Sequence, residues 1–409
     1  MGKVVLSVNK IPLLKDIKKD KLDVKTRLRT NPLPWKGQFS PQLVEVILSE
    51  FCDVEEIILD PFVGSGTVLY EALRRGIDSI GLEINPAAFI LSKLYKLSRF
   101  SVKKRNYLLN SLERKLIDII NVITGVGEDN VLEGKFISLY EEILQCDENL
   151  KEIFEAYIVL LDLGRKNILK RFWKVWNNIK KLVISLPYTE SLVEVFLSDA
   201  RKMPLKSDSV SFVLTSPPYV NVINYHQQYR RSVEFLGYKV LDIAKTEIGS
   251  NRKFRSNRFL TVIQYSLDMS LVFKELIRVC RTNSYLVFVV GRTSNINGVP
   301  IPNSNIILSI AASSGLVLEG RYERAYLNRY GQEILEDILV IRNSTEAKRK
   351  LRKKEEFFLE IGQYVASEIL ESCLENSRNS IVYSAIEDAL SSIGVVKPSP
   401  WIEVGYVST

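Results

Sequence analysis

The sequence predicts an α/β fold: a mostly parallel sheet with an antiparallel edge hairpin, a helical insertion and a helical C-terminal tail. Three observations carry this. Glu56–Asp60 and Ser79–Ile84 are short apolar runs with an acid at or near the end, each followed by a helix start. Val193–Asp199 and Val210–Thr215 resume the same pattern much later in the chain. The stretch between, residues 96–189, has heptad-like apolar spacing, abundant Lys and Arg and few strand signals.

Residues 1–30 are basic and weakly patterned, and Asn31-Pro32-Leu33-Pro34-Trp35 then breaks the chain. The amphipathic run Pro41–Phe51 predicts a helix with Ser40 as N-cap. The first strand ends at Asp60, turns through Pro61-Phe62-Val63-Gly64-Ser65-Gly66-Thr67 and leads into a helix over Val68–Arg75. After Gly76 comes the second strand, and Asn85-Pro86 opens another helix. Two strand–helix units in succession call for a parallel sheet covered by helices.

Farther on, Leu267–Cys280 predicts a helix, Tyr285–Val290 a strand and Ile306–Ser314 a helix. Leu316–Tyr322 and Ile334–Arg342 then predict an antiparallel pair at the sheet edge. The chain divides into a core domain (1–95 and 190–343), the helical insertion (96–189) and the tail (344–409). The tail's basic run Lys348–Lys354 reads as a solvated linker.

With 409 residues, 46% hydrophobic and 25% charged, the chain buries a sizeable core without disulfides. Its net charge of +8 and pI near 9.0 suit a polyanionic partner, since cationic side chains gain by releasing counterions from phosphates. Cys52, Cys146, Cys280 and Cys373 are far apart and His226 is the only histidine, so neither a zinc site nor a disulfide framework is expected, and no metal. There is no apolar leader at Met1–Leu6 and no run of membrane-spanning length, so a cytoplasmic protein without a membrane partner is expected.

The turn Asp60–Thr67 places Gly64 and Gly66 where a strand must bend sharply into a helix, so a ligand can approach the backbone with no Cβ in the way. One βα unit later, Glu83 ends the next strand, from where a carboxylate can accept both ribose hydroxyl protons of a nucleoside. No Gly-Lys-Ser/Thr follows the glycines, which excludes a P-loop, and Leu69 stands where a dinucleotide fingerprint has its third glycine. An adenosine cofactor with few or no phosphates fits better.

Ser216-Pro217-Pro218-Tyr219 directly follows a strand. Two prolines fix the backbone and leave their carbonyls without competition from local amide donors, an arrangement suited to an amine. The amino group of a base has its lone pair delocalised into the ring. Hydrogen bonds from its two protons to the Ser216 side chain and the Pro217 carbonyl would favour pyramidalisation and free that pair for attack, while Tyr219 would stack on a base flipped from the helix. A polyproline-like turn is the alternative for this segment.

Together these motifs resemble those of the amino DNA methyltransferases: Asp60–Thr67 is similar to their cofactor motif and Thr215–Tyr219 to their catalytic motif. The resemblance covers roughly residues 31–95 and 190–342. It implies a Rossmann-like methyltransferase sheet and S-adenosyl-L-methionine as cofactor. It also implies roles for further residues: Glu83 as the ribose-binding acid, Asp199 with Ala200 at the cofactor's adenine, and Phe39, within Trp35–Pro41, near its methionine end.

The order of motifs is like the gamma arrangement, from which the chain departs in having only the tail from 344 after its catalytic half. The insertion 96–189 or the segment Lys245–Arg258 is the candidate for target recognition.

The implied function is site-specific methylation of the exocyclic amine of a base in double-stranded DNA, with a cognate restriction endonuclease as a candidate partner. A serine at position 216 resembles the cytosine N4 enzymes more than the adenine N6 enzymes, which remain the alternative. A tRNA guanine N2 enzyme is the further alternative, although such enzymes usually carry Asp before Pro-Pro. Cytosine C5 chemistry needs a nucleophilic cysteine, typically after proline, and none of the four follows one.

Near the loop, Asn221, Asn224, Tyr225, His226 and Tyr229 are candidates to line the pocket or to begin the next helix. His226 is expected at a surface or a helix start rather than as a base. Lys170–Trp176 reads as a helix with a buried aromatic face, and Arg252–Phe259 as a DNA contact.

Overall fold

The computed structural model describes residues 5–25, 28–123, 128–221, 225–250, 253–327 and 331–401. Among the described residues nine strands are formed in chain order: β1 Ile57–Asp60, β2 Asp78–Glu83, β3 Val193–Leu197, β4 Val210–Thr215, β5 Cys280–Gly291, β6 Ser294–Ile296, β7 Val299–Ile301, β8 Val317–Leu327 and β9 Glu333–Arg342. Seven make one sheet in the order β3-β2-β1-β4-β5-β9-β8, and β6 and β7 pair separately as a hairpin. β3 through β5 run parallel, whereas β9 is antiparallel to both β5 and β8. The predicted α/β sheet with an antiparallel edge pair is therefore observed.

Side chains alternate across the sheet, as a pleated strand requires. Leu59, Val213, Leu286 and Phe288 enter one core with the helices Leu260–Val279, Asn303–Ser313 and Glu355–Glu375. Their neighbours Ile58, Phe212, Val287 and Val289 enter a second core with the helix Pro41–Phe51 and the helix Thr67–Arg74.

Between β2 and β3 the chain forms the helices Pro86–Lys93, Val102–Ile123, Glu128–Leu144, Glu148–Leu161 and Ile168–Ser185. Phe172 and Trp176 are fully buried there, giving the buried aromatic face that was expected. Arg105, also fully buried, closes the end of the last of these helices by donating to the carbonyls of Val183 at 2.9 Å and Leu186 at 2.5 Å.

The tail is helical over Thr345–Lys350, Glu355–Glu375 and Ser380–Ser391. Its basic run is not simply solvated: Lys348 pairs with Asp208, and Lys350 donates to the Ser313 carbonyl at 2.8 Å.

Several boundaries differ from expectation. The helix expected from Leu267 begins at Leu260, because 17 of its 20 residues are buried and a helix apolar on every side has no amphipathic period to mark its start. β5 begins at Cys280 rather than Tyr285, and β8 runs on to Leu327, because each long strand continues in pairing with its neighbour. The helix expected from Ile306 starts at Asn303, and the β6–β7 hairpin was not foreseen.

Candidate active site

From β1 the chain moves outward through β2 to β3, and from β4 it moves the other way through β5. The turns after β1 and β4 therefore diverge, opening a crevice at the carboxyl edge of the sheet, the usual ligand position in such folds. A hydrogen bond ties its two sides together, with Thr215 Oγ1 at the end of β4 donating to Asp60 Oδ1 at the end of β1 over 2.7 Å.

This crevice holds a pocket open to solvent on one side. Twelve of the predicted site residues line it: Phe39, Asp60, Pro61, Phe62, Gly64, Ser65, Thr67, Glu83, Asp199, Ala200, Ser216 and Pro218. Gly66, Pro217 and Tyr219 do not. Gly66 instead starts the helix Thr67–Arg74 with φ 88°, and a Cβ there would lie 2.6 Å from the Tyr95 ring.

The acids have distinct surroundings. Glu83 Oε2 accepts from the Gly64 N–H at 2.9 Å and Oε1 from the Asn85 N–H at 2.8 Å, which leaves each oxygen a further lone pair. Burial pushes its carboxyl up to about 7. Asp60 is likewise pushed up to about 7 by burial, against the lowering effect of its bonds from Thr215 and Phe62. Asp199 accepts from Arg201 Nε on Oδ1 at 2.9 Å and from Nη2 on Oδ2 at 2.5 Å, so its carboxylate is held by a planar fork.

The Ser216–Tyr219 loop is clamped on several sides. Val220 N–H donates to Asn303 Oδ1 at 3.4 Å, and Asn303 Nδ2 donates to the Gly291 carbonyl at 3.0 Å. Gly249, with φ 71°, crosses so close that a Cβ would sit 2.4 Å from the Tyr219 carbonyl oxygen. The Tyr219 ring lies against Gly291, with its hydroxyl 3.3 Å from Ser216 Oγ. Burial pushes that phenol up, so it stays protonated.

Tyr225, one of the candidates named beside the loop, lines the pocket, as do Trp35 and Gln38 of the Trp35–Pro41 stretch. Thr246, Glu247 and Ile248 line it too, within a segment read from the sequence as a target-recognition candidate rather than as pocket wall. Gln38 Nε2 donates to Ser65 Oγ at 2.5 Å, and Trp35 stacks on Tyr225 with centroids 6.4 Å apart and planes 9° from parallel. No spacing rule marks Glu247; its one sequence signal is its place beside a glycine two residues on.

His226 does lie in a short 3₁₀ turn, Tyr225–Gln227, and it is buried at 2% exposure, correcting the surface alternative. Its Nδ1 lies 2.9 Å from Glu247 Oε2 while its N–H donates to Oε1, a pairing that only the fold brings about. Asn224 and Arg252 lie outside the described residues. Of the segment expected to contact DNA, Arg255 and Ser256 are exposed, whereas Phe259 is buried and Asn257 Nδ2 donates to the Ala385 carbonyl at 2.7 Å. Part of that segment thus binds the protein's own tail.

None of the four cysteines lines the pocket, in keeping with chemistry that uses no cysteine nucleophile. Among the described residues no group of three or more His, Cys, Asp or Glu is placed to hold a metal, and no helix is long and apolar enough to cross a membrane.

Comparison with known proteins gives a family described as DNA methylase, of N6 and N4 methyltransferases, matching residues 15–93. The Type II methyltransferase M.MjaII of Methanocaldococcus jannaschii is 30% identical over 173 residues, 42% of this chain and 28% of that protein. M.BsoBI of Geobacillus stearothermophilus is 23% identical over 63% of each chain, and M.MvaI of Kocuria varians is 23% identical over 66% of this chain and 77% of its own. The first two relatives are thus matched over less than two thirds of their length. These matches bear out the resemblance to the N6 and N4 DNA methyltransferases and S-adenosyl-L-methionine as the cofactor. The pocket suits it, offering buried carboxylate oxygens with spare lone pairs and no P-loop for a phosphate chain.

Proposed function

We propose that this protein methylates the exocyclic amine of a flipped base in double-stranded DNA, with cytosine N4 as the target and adenine N6 as the alternative. One observation carries the reading. The acids at the ends of β1 and β2, and Asp199 just after β3, share a single pocket wall with Ser216 and Pro218 after β4. A nucleoside-binding half and an amine-binding half thus face one cavity.

Bound there, S-adenosyl-L-methionine supplies an electrophilic methyl group on a sulfonium centre, open to direct in-line attack by an amine. Glu83 accepts the ribose hydroxyl protons on the lone pairs its backbone donors leave free. Asp60 offers negative charge beside the glycine turn, and Asp199 takes the adenine amino group. Ser216 Oγ and the Pro217 carbonyl accept the two amino protons of the target base, and the contact with Tyr219 fixes the serine side chain. Tyr219, off the cofactor wall, stacks on the base, which must leave the duplex at a cost of a few kcal/mol. The protein acts by orientation and by acceptor placement.

Exposed Lys170, Lys174 and Lys181 on the helix Ile168–Ser185, whose other face is buried, are suited to phosphate contacts, and the insertion serves as a recognition part. The Type II names of the relatives support a restriction-modification setting with an endonuclease partner.

The test is incubation with methyl-labelled S-adenosyl-L-methionine and duplex DNA, followed by digestion to nucleosides and chromatography. N4-methylcytosine is the expected product. N6-methyladenine would reassign the base, and label found in RNA but not in DNA would overturn the proposal.

A further inference from the structure

The C-terminal strap meets the back of the cofactor wall through a buried polar chain that the proposed chemistry does not use. Arg201, 3% exposed, spans between the pocket acid Asp199 and Asp268, which is fully buried in the helix Leu260–Val279. Its Nη1 donates to Asp268 Oδ1 at 2.7 Å and to the Ser399 carbonyl at 2.6 Å, and its Nη2 also reaches the Pro400 carbonyl at 3.2 Å. Ser399 answers Asp268 twice, through its N–H to Oδ1 at 2.8 Å and its hydroxyl to Oδ2 at 2.6 Å.

A second arm leaves the same serine. Lys253 Nζ contacts Ser399 Oγ at 2.5 Å and donates to the Glu247 carbonyl at 3.3 Å, and Glu247 also lines the pocket. Gln264 Nε2 holds the strap just before it by donating to the Lys397 carbonyl at 3.0 Å. Ser399 itself does not line the pocket.

We propose that Ser399, Asp268 and Arg201 form a latch that positions Asp199 and the 246–248 wall for the cofactor's adenosine, so that cofactor binding and docking of the C-terminal strap favour each other. The proposal rests on the reading of this pocket as the S-adenosyl-L-methionine site. The physical basis is a closed set of charges. Arg201 has two carboxylates and two carbonyls within reach, and a guanidinium left with an unfilled donor swings toward whichever acceptor remains. With the strap seated, its fork lies flat on Asp199 and leaves that carboxylate one unfilled acceptor position for a ligand. With the strap displaced, Asp199 and Asp268 compete for the same cation. By linkage, what the strap does for the ligand the ligand does for the strap.

The experiment uses the full chain and calorimetric titration with S-adenosylhomocysteine and, separately, adenosine, which lacks the amino-acid end. Ser399→Ala should weaken both ligands by the same factor, on the order of ten-fold, the effect of one buried charge-assisted hydrogen bond. Ser399→Thr, which keeps the hydroxyl, should restore affinity to within about two-fold of the parent chain. Turnover at saturating cofactor should be unaffected by Ser399→Ala. Bound S-adenosylhomocysteine should also slow hydrogen exchange at the Ser399 amide of the unaltered protein.

A folded Ser399→Ala variant that binds both ligands as the parent does, even with a lowered melting temperature, would reduce the latch to a structural strut and overturn the proposal. A loss confined to S-adenosylhomocysteine with adenosine unaffected would overturn it too. If the unaltered protein binds neither ligand, the reading of the pocket fails, and the latch's assigned role with it.

Discussion

Replacing Glu83 by Gln separates the binding role of that carboxylate from its place in the fold. At pH 8 a buried carboxyl held at about 7 rather than 4.5 is ionised, and its charge disfavours the folded state by about 3 kcal/mol. The substitution removes this cost. It also turns an amide NH₂ toward either the Gly64 or the Asn85 N–H, which strands one buried donor at about 1–3 kcal/mol.

These effects oppose each other, so the ligand-free melting temperature at pH 8 should move by only a few degrees. Cofactor affinity has no such compensation. Glutamine offers one acceptor oxygen in place of two charged ones, so one hydroxyl contact is lost and the other falls to neutral strength, together about 3 kcal/mol. Titration calorimetry with S-adenosylhomocysteine should therefore show a Kd raised about 100-fold. A folded variant with a Kd within three-fold of the parent would refute the ribose role, and a large loss of stability would refute the assumed balance of buried charge and stranded donor.

The pH response follows from the same groups. Because burial raises the folded-state pKa of Asp60 and Glu83 to about 7, the native protein binds more protons than the unfolded chain between about pH 4 and 7, so these two groups make ligand-free stability fall as pH rises through that window. Cofactor needs the ionised forms, so its affinity should rise from pH 6 to 8 with proton release, visible as a dependence of the binding enthalpy on buffer ionisation; uptake of protons would contradict this. Gly291→Ala puts a methyl 2.8 Å from the Tyr219 ring and should lower the methylation rate at least ten-fold with cofactor binding intact; equal losses in both would place Tyr219 in the cofactor half. Gly66→Ala combines φ 88° with a 2.6 Å contact to Tyr95 and should cost about 2–4 kcal/mol in urea unfolding, whereas a change under 1 kcal/mol would show that the turn can relax.

The sequence by itself determined the parts whose cause is local. Alternating and continuous apolar runs ending in Asp60, Glu83 and Thr215 specify strands, and Gly64 with Gly66 specifies the turn that brings a ligand close to backbone. Because a parallel sheet places all its strand ends on one edge, Asp60, Glu83 and Ser216 were bound to converge. The same logic did not extend to side-chain direction: Pro217 and Tyr219 belong to the loop yet do not line the pocket, and the tyrosine lies instead with its ring against Gly291 and its carbonyl against Gly249.

Only the tertiary structure decided the rest, for two reasons. A helix buried on all sides, like Leu260–Val279, has no periodic edge by which to find its start. Pairings between distant segments, such as His226 with Glu247 or Arg201 with Asp268 and Ser399, involve ordinary residue types at no fixed spacing. Their meeting is set by how the helices and the strap pack on the sheet, a property of the whole chain rather than of any stretch of it.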